Sequence, residues 1–290
     1  MKQYVKQREQ TRWFGFVRQP IVFDSLSAIL SCNELRMALN NLGYLDARVE
    51  LRTRQLPKHN VDVDYLLHVG EPYYLRKVNY VIEDSCIAEL LKDDISNRSL
   101  RSGMRFNVEN LDHERKRLNE WAINNGYYRF NKEYVSYVAD SAVGGKQIDL
   151  ELQLHKYRRN NLPDTLHQRY AIRRVEFSSG NDDGQPIPLR QSVLHNNTFI
   201  TPGSWYSARD LQNTYMHFGR LGAVRYTDIN FTEVPNTNLL DCSIRLSTNK
   251  PRTISFQPEG TNTAGDLGAA ATLTYQNRNL FHGSELLSIE

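Results

Sequence analysis

The sequence predicts an α+β chain of tandem small modules, each in the order β-α-α-β-β, followed by a run of antiparallel strands. Three observations point there. Two alternating strands stand almost back to back, 61–67 and 74–82, with Gly70 and Pro72 breaking the pairing between them. Amphipathic helical stretches end at a glycine just before a strand at Gly43, Gly126 and Gly222. The C-terminal stretch alternates again, with one apolar face and one small, polar face.

Taken in order, residues 1–23 hold apolar patches, Trp13-Phe14-Gly15-Phe16 and Ile21-Val22-Phe23, without a clear period, and no opening strand stands out. Asp24 is a good helix N-cap, followed by Ser25. Leu35, Leu39 and Leu42 fall at i, i+4 and i+7, on one helix face that ends at Gly43. Ala47, Val49 and Leu51 line one strand face, 56–60 is a turn, and strand 61–67 closes the module. In the second module, strand 75–82 leads to the cap Asp84-Ser85, a helix over 86–95 and the loop 102–106. Asn107 caps a second helix with Leu111, Leu118 and Ala122 on one face; after Gly126 come strands 134–138 and 148–154. The stretch 158–168 is polar with one proline and reads as a linker. The third module repeats the order: strand 170–177, a short helix over 189–196, the loop Pro202-Gly203, and a helix marked by Tyr206, Leu211, Tyr215 and Phe218. Strands 224–231 and 240–246 flank the turn 234–238. The expected boundaries are 1–72, 73–157 and 169–250, with 251–290 as the tail; about 80–95 residues per module suits small domains.

Composition narrows the function classes. Charged residues are 24% and hydrophobic ones 40% of 290, an ordinary globular balance. The formal charge of +3, with no Lys/Arg block, gives no reason to expect nucleic acid. No apolar run is long enough for a spanning helix, which leaves membrane-spanning strands open. There is no P-loop, GxSxG, HExxH or CxxC. His68, His155 and His195 stand apart from one another, and Asp62 and Asp64 read as a solvated strand face. Glu109, Asp112 and Glu114 sit in early turns of a helix, where acids suit the dipole, and Arg115, Lys116 and Arg117 read as a solvated helix face. Asp182-Asp183-Gly184 is a turn rather than a calcium loop. Cys32, Cys86 and Cys242 have no metal-ligand spacing and read as small core residues. The expectation is therefore no catalytic residue, no metal ligand and no cofactor: a protein that is not an enzyme.

The order of elements, together with Leu42-Gly43-Tyr44, Gly70-Glu71-Pro72-Tyr73, Asn125-Gly126-Tyr127-Tyr128 and Gly203 with Tyr206 and Leu211, resembles the POTRA domains of the BamA/TamA family of outer-membrane assembly and translocation factors. The tract 126–140 is similar to the TamA-like branch of Bacteroidetes-type bacteria. The resemblance runs over nearly the whole chain from Asp24. It implies POTRA-like modules in the periplasm, followed by the first antiparallel strands of a transmembrane β-barrel in the outer membrane. Leu267, Ala269, Ala271, Leu273 and Tyr275 would face lipid. Only the start of a barrel is present, so the chain is expected to be a fragment of a longer protein. The resemblance also implies that the strand after each glycine lies at a sheet edge and receives unfolded outer-membrane protein clients by β-augmentation. The candidate residues are Val49, Glu50 and Leu51, Val135, Ser136 and Tyr137, and Arg225 and Tyr226. Expected partners are such clients, periplasmic or lipoprotein partner subunits, and outer-membrane lipid. The alternative is a free-standing periplasmic or surface adaptor of peptide-binding modules with no membrane part.

Overall fold

Three sheets of the protein share one plan, in which the opening strand lies parallel to the last strand and the strand after the helices lies on the other side of it. The computed structural model describes residues 4–5, 23–57, 60–158, 163–180, 186–263 and 266–290. The chain divides into two compact units, Met1–Arg117 with Lys132–Lys156, and Leu118–Asn131 with Tyr157–Glu290.

In the first unit, β1 (Tyr4–Val5) runs parallel to β3 (Asn60–His68), and β2 (Arg48–Leu56) pairs antiparallel with β3 from its other side. An opening strand therefore exists where none was recognisable; two residues are too short to show a period. Helix α1 (Ser25–Asn41) is capped by Asp24, whose carboxylate accepts from the Leu26 and Ser27 N–H groups. The second sheet has the order β4 (Tyr74–Ile82), β6 (Gln147–Leu154), β5 (Val135–Asp140). The parallel β4–β6 pair requires a crossover, supplied by α2 (Ser85–Leu90), a 3-10 turn (Ile95–Asn97) and α3 (Val108–Asn124). The first helix is shorter than its sequence suggests. Ile148, Leu150, Leu152 and Leu154 alternate into the core, where Leu75, Leu100, Phe106 and Leu111 join Ile148 and Leu150.

The start of α3 corrects the expectation of a solvated charged face. Glu114 is fully buried and accepts from Tyr80 Oη at 3.0 Å, Ser99 N at 2.9 Å, and Arg117 Nε and Nη2 at 2.9 and 2.8 Å. Arg117 also donates to Asp94 Oδ2 at 2.5 Å. Arg115 donates to the Val135 carbonyl at 3.0 Å, so of the three cations only Lys116 lies mainly in solvent, beside Asp112. A charge triplet read without its partners looks like surface; the partners come from a strand, a turn and a loop far apart in sequence.

The second unit contains β7 (Ala171–Ser179), β9 (Leu239–Thr248) and β8 (Val224–Glu233) in that sheet order, with α4 (Gln191–Asn196) and α5 (Ala208–Gly219) in the crossover. Its core includes Ile172, Leu194, Phe218, Leu240, Ile244 and Leu246. Cys242 belongs to this core, and burial pushes its thiol up to about 12. Cys86 is exposed and Cys32 half-buried, so only one of the three cysteines is a core residue. Tyr157 and Thr165 exchange backbone hydrogen bonds at 2.9 and 3.0 Å, drawing together the ends of the polar stretch. The tail follows as an antiparallel sheet of β10 (Arg252–Thr263), β11 (Asp266–Asn277) and β12 (Leu287–Ile289).

One device recurs in both units. Register shifts at the start of β4 and β7 set Arg76 and Arg173 outside the ladder, and each guanidinium takes a carboxylate of the neighbouring strand through two N–H groups, Arg76 with Asp149 and Arg173 with Asp241. Each arginine holds its aspartate below the ordinary carboxylate range.

Candidate functional site

The strands that follow the helices, β2, β5 and β8, each lie at the edge of their sheet. The candidate residues therefore fall on three separate sheets and do not converge on one pocket. Val49 and Leu51 are half-buried and Glu50 exposed; Val135 is buried, with Ser136 and Tyr137 half-buried; Arg225 and Tyr226 are exposed. Arg225 is skipped by the ladder, since Val224 pairs with Thr248 and Tyr226 with Ser247.

Which backbone groups face outward follows from the ladder. In an antiparallel strand one residue turns its N–H and C=O to the same side, and the next residue turns them to the other. The Tyr134 carbonyl accepts from His155 N, so it faces β6. Val135 then faces the edge, and Arg115 Nε reaches its carbonyl. Tyr137 faces the edge too, whereas Ser136 faces β6. In β8 the Tyr215 hydroxyl accepts from Ile229 N at 3.0 Å and donates to Ile229 O at 3.4 Å, which marks Ile229 as edge-facing. Val135 and Ile229 both carry buried side chains. The same relation in β2, whose core-side residues pair with Leu67, Tyr65 and Val63, makes Val49, Leu51 and Thr53 edge-facing and turns Glu50 toward β3.

The glycine loops ending α1 and α3 hold the start of the next strand. Gly43 O accepts from Tyr73 N at 2.8 Å, and Arg105 donates through Nε and Nη2 to Leu42 O. Gly126 O accepts from Tyr170 N at 2.8 Å, and Arg169 Nε donates to Asn125 O. After α5, Ala223 O accepts from Asn249 N at 2.8 Å. Tyr128 packs edge-on against Tyr170 and Tyr206, and burial pushes the Tyr206 hydroxyl up to about 12.

The tail hairpin is two-faced throughout. Register places Ile254 opposite Tyr275, Phe256 opposite Leu273, Pro258 opposite Ala271 and Gly260 opposite Ala269, with Ile289 beside Tyr275. The other face carries Thr253, Ser255, Gln257 and Glu259 against Gln276, Thr274, Thr272 and Ala270. Ile254, Phe256, Leu273 and Ile289 are each more than half exposed. Leu267 pairs through its backbone with Asn262. The turn after β11 is fastened to the third module: Asn279 Nδ2 donates to Pro188 O at 2.6 Å, Arg190 N to His282 O at 2.9 Å, and Ala223 N to Ser284 Oγ at 2.9 Å. Sequence reasoning saw the apolar face of β11 and missed that β10 matches it, because Pro258 and Gly260 interrupt its alternation.

Among the described residues no group of acidic, histidine or cysteine side chains is placed to hold a metal ion, and no helix is long and apolar enough to cross a membrane; neither statement bears on strands.

Two β-α-α-β-β modules, preceded by one that is β-α-β-β among the described residues and followed by an antiparallel tail, define a POTRA-type α+β fold. Among solved structures, BamA from Haemophilus ducreyi lacking POTRA domains 1–3 superposes with a TM-score of 0.53 at 14% identity, covering 74% of this chain and 36% of that one. POTRA domains 3–5 of Haemophilus influenzae BamA match at 15% identity and a TM-score of 0.45, covering 76% of this chain and 79% of that one. CdiB from Acinetobacter baumannii matches at 11% identity and a TM-score of 0.40, covering 76% and 38%. The chain thus spans little more than a third of the BamA structure it superposes on best among these. No family model and no curated protein matches the sequence.

Proposed function

We propose that this chain is the periplasmic POTRA region, with the first barrel strands, of an outer-membrane protein assembly or translocation factor of the BamA/TamA type. The modules, with boundaries at 1–72, 73–157 and 169–250, receive unfolded client proteins or partner subunits by β-augmentation and pass them to the barrel. The likeness of the tract 126–140 to the TamA-like branch supports a place in that branch. The observation that carries this reading is the tail hairpin. Its apolar face is continuous across β10, β11 and β12 and exposed, while the opposite face is small and polar. A barrel strand needs that division, with lipid on one side and lumen on the other, and the twelve residues of β11 exceed the length of about ten that a tilted strand needs to cross the bilayer core. A soluble edge would carry a charge on that face as protection against association.

In lipid every backbone group must be paired, so three strands alone form no stable insertion. The chain ending at Glu290 is expected to require detergent, whereas the chain ending at Lys250 stays soluble and folded. Solubility and far-UV circular dichroism of the two, side by side, check this. Equal solubility without detergent, with a protease-resistant tail, would favour the adaptor reading.

A further inference from the structure

The three edge strands are not equally open. In module three the Tyr215 hydroxyl occupies both edge-facing groups of Ile229. In module two Arg115 occupies the edge-facing carbonyl of Val135. These two residues hold the same place in their modules: each follows the buried residue, Thr214 or Glu114, that accepts the N–H of Phe199 or Ser99. The corresponding residue of module one is Cys32. It stands eleven residues before Gly43, as Arg115 does before Gly126, and the turn behind it matches, with Tyr44 N bonding Leu39 O as Tyr127 N bonds Ala122 O. A cysteine side chain is too short to reach the strand. In its place lies an open groove of about 410 Å3 between α1 and β2, lined by Cys32, Arg36, Asn40, Ala47 and Val49. Asn40 Oδ1 is sealed from solvent and has no hydrogen-bond partner among the described residues.

We propose that β2 is the receiving edge of this protein, that Arg115 and Tyr215 close the other two, and that the segment β2 takes is an extended stretch of unfolded polypeptide with carboxylates at alternate positions. This rests on the β-augmentation reading and selects one edge and one client chemistry within it. Edge-facing groups on Val49, Leu51 and Thr53 supply the backbone ladder. The charge preference comes from the face of β2 turned away from α1. Arg48, Arg52 and Arg54 stand exposed there, with Glu50 the one acid of the strand. Asp62 and Asp64 lie opposite Arg54 and Arg52 on β3, the side away from the edge. An added strand therefore meets guanidinium groups at 48, 52 and 54, three of the four alternate positions of that face, and a carboxylate at Glu50.

The test uses the full chain in detergent and two nine-residue photoreactive peptides, one alternating valine with glutamate and one alternating valine with lysine, with adducts mapped by mass spectrometry. The glutamate peptide is expected to label residues 47–56, at least about tenfold more than the lysine peptide does. Cys32→Tyr, which supplies the missing plug, reduces that labelling about tenfold, the scale of one or two lost edge hydrogen bonds. Tyr215→Phe, which removes only the hydroxyl, adds labelling over 224–233. Equal labelling of all three edges in the unaltered chain overturns the selection of β2 but keeps augmentation, and labelling of none overturns augmentation itself. Equal capture of both peptides overturns the acidic preference. Unchanged labelling of a folded Cys32→Tyr chain overturns the plug.

Discussion

Glu114→Ala is expected to destabilise the first unit by about 3–5 kcal/mol. The carboxylate is fully buried, and four donors converge on it. Its removal leaves the largely buried Arg117 guanidinium with Asp94 as its remaining ionic partner, and leaves the Ser99 N–H and the Tyr80 hydroxyl unanswered. Urea unfolding followed by circular dichroism measures the loss. The pH dependence separates charge from shape. Burial alone would raise the Glu114 carboxyl, but the Arg117 guanidinium and the Ser99 N–H outweigh it and hold it below its ordinary value of 4.5. A lowered folded value means the stabilisation is complete above the unfolded value and disappears as pH falls through the folded one. The gap between wild type and Glu114→Ala should therefore narrow as the solution is taken below about pH 4. A gap that stays constant as the pH is taken well below that range would show that Glu114 acts by packing rather than by charge.

Gly43→Ala is expected to cost about 2–4 kcal/mol, and Gly103→Ala about 1 kcal/mol. Both glycines have positive φ, +91° and +84°, so an alanine is strained at either. The surroundings differ. A Cβ on Gly43 would lie 2.2 Å from the Phe106 carbonyl oxygen, a backbone atom in the strand-entry network, whereas Gly103 has open space around it. Relief at Gly43 would require moving Phe106, whose N–H is bonded to Tyr73 O, and with it the Tyr73 N–H that reaches Gly43 O. Thermal melts of the two variants make the comparison. Equal losses would mean that the loop yields without disturbing the strand.

Much of this architecture was written in short-range pattern. Alternation in 148–154 and 240–246 announces central strands buried on one face, and Asp24 and Asp84 announce helix starts that the caps bear out. What escaped is whatever depends on partners distant in sequence. Glu114 and Arg117 look like ordinary helix-surface residues until Tyr80, Asp94 and Ser99 are brought to them. Ser136 looks like a free edge donor, and only the His155–Tyr134 bond reveals that its N–H turns inward. A Ser136→Pro change would therefore damage the ladder with β6 rather than the edge. Tyr215 reads as one more apolar helix residue, since nothing local marks a hydroxyl that will sit on a strand's backbone.

The loop Gly126–Asn131 ends a helix that begins in the first compact unit, yet the loop itself belongs to the second. Tyr128 is held by Tyr170 and Tyr206, the Gly126 carbonyl by Tyr170 N, the preceding Asn125 carbonyl by Arg169, and Arg129 by Glu233. The sequence repeat and the compact unit are therefore offset along the chain. A repeat excised at its sequence boundary would carry away an orphaned segment and leave its successor without a floor. Exchange of repeats in such an array would therefore have to keep residues 118–131 with the module that follows them.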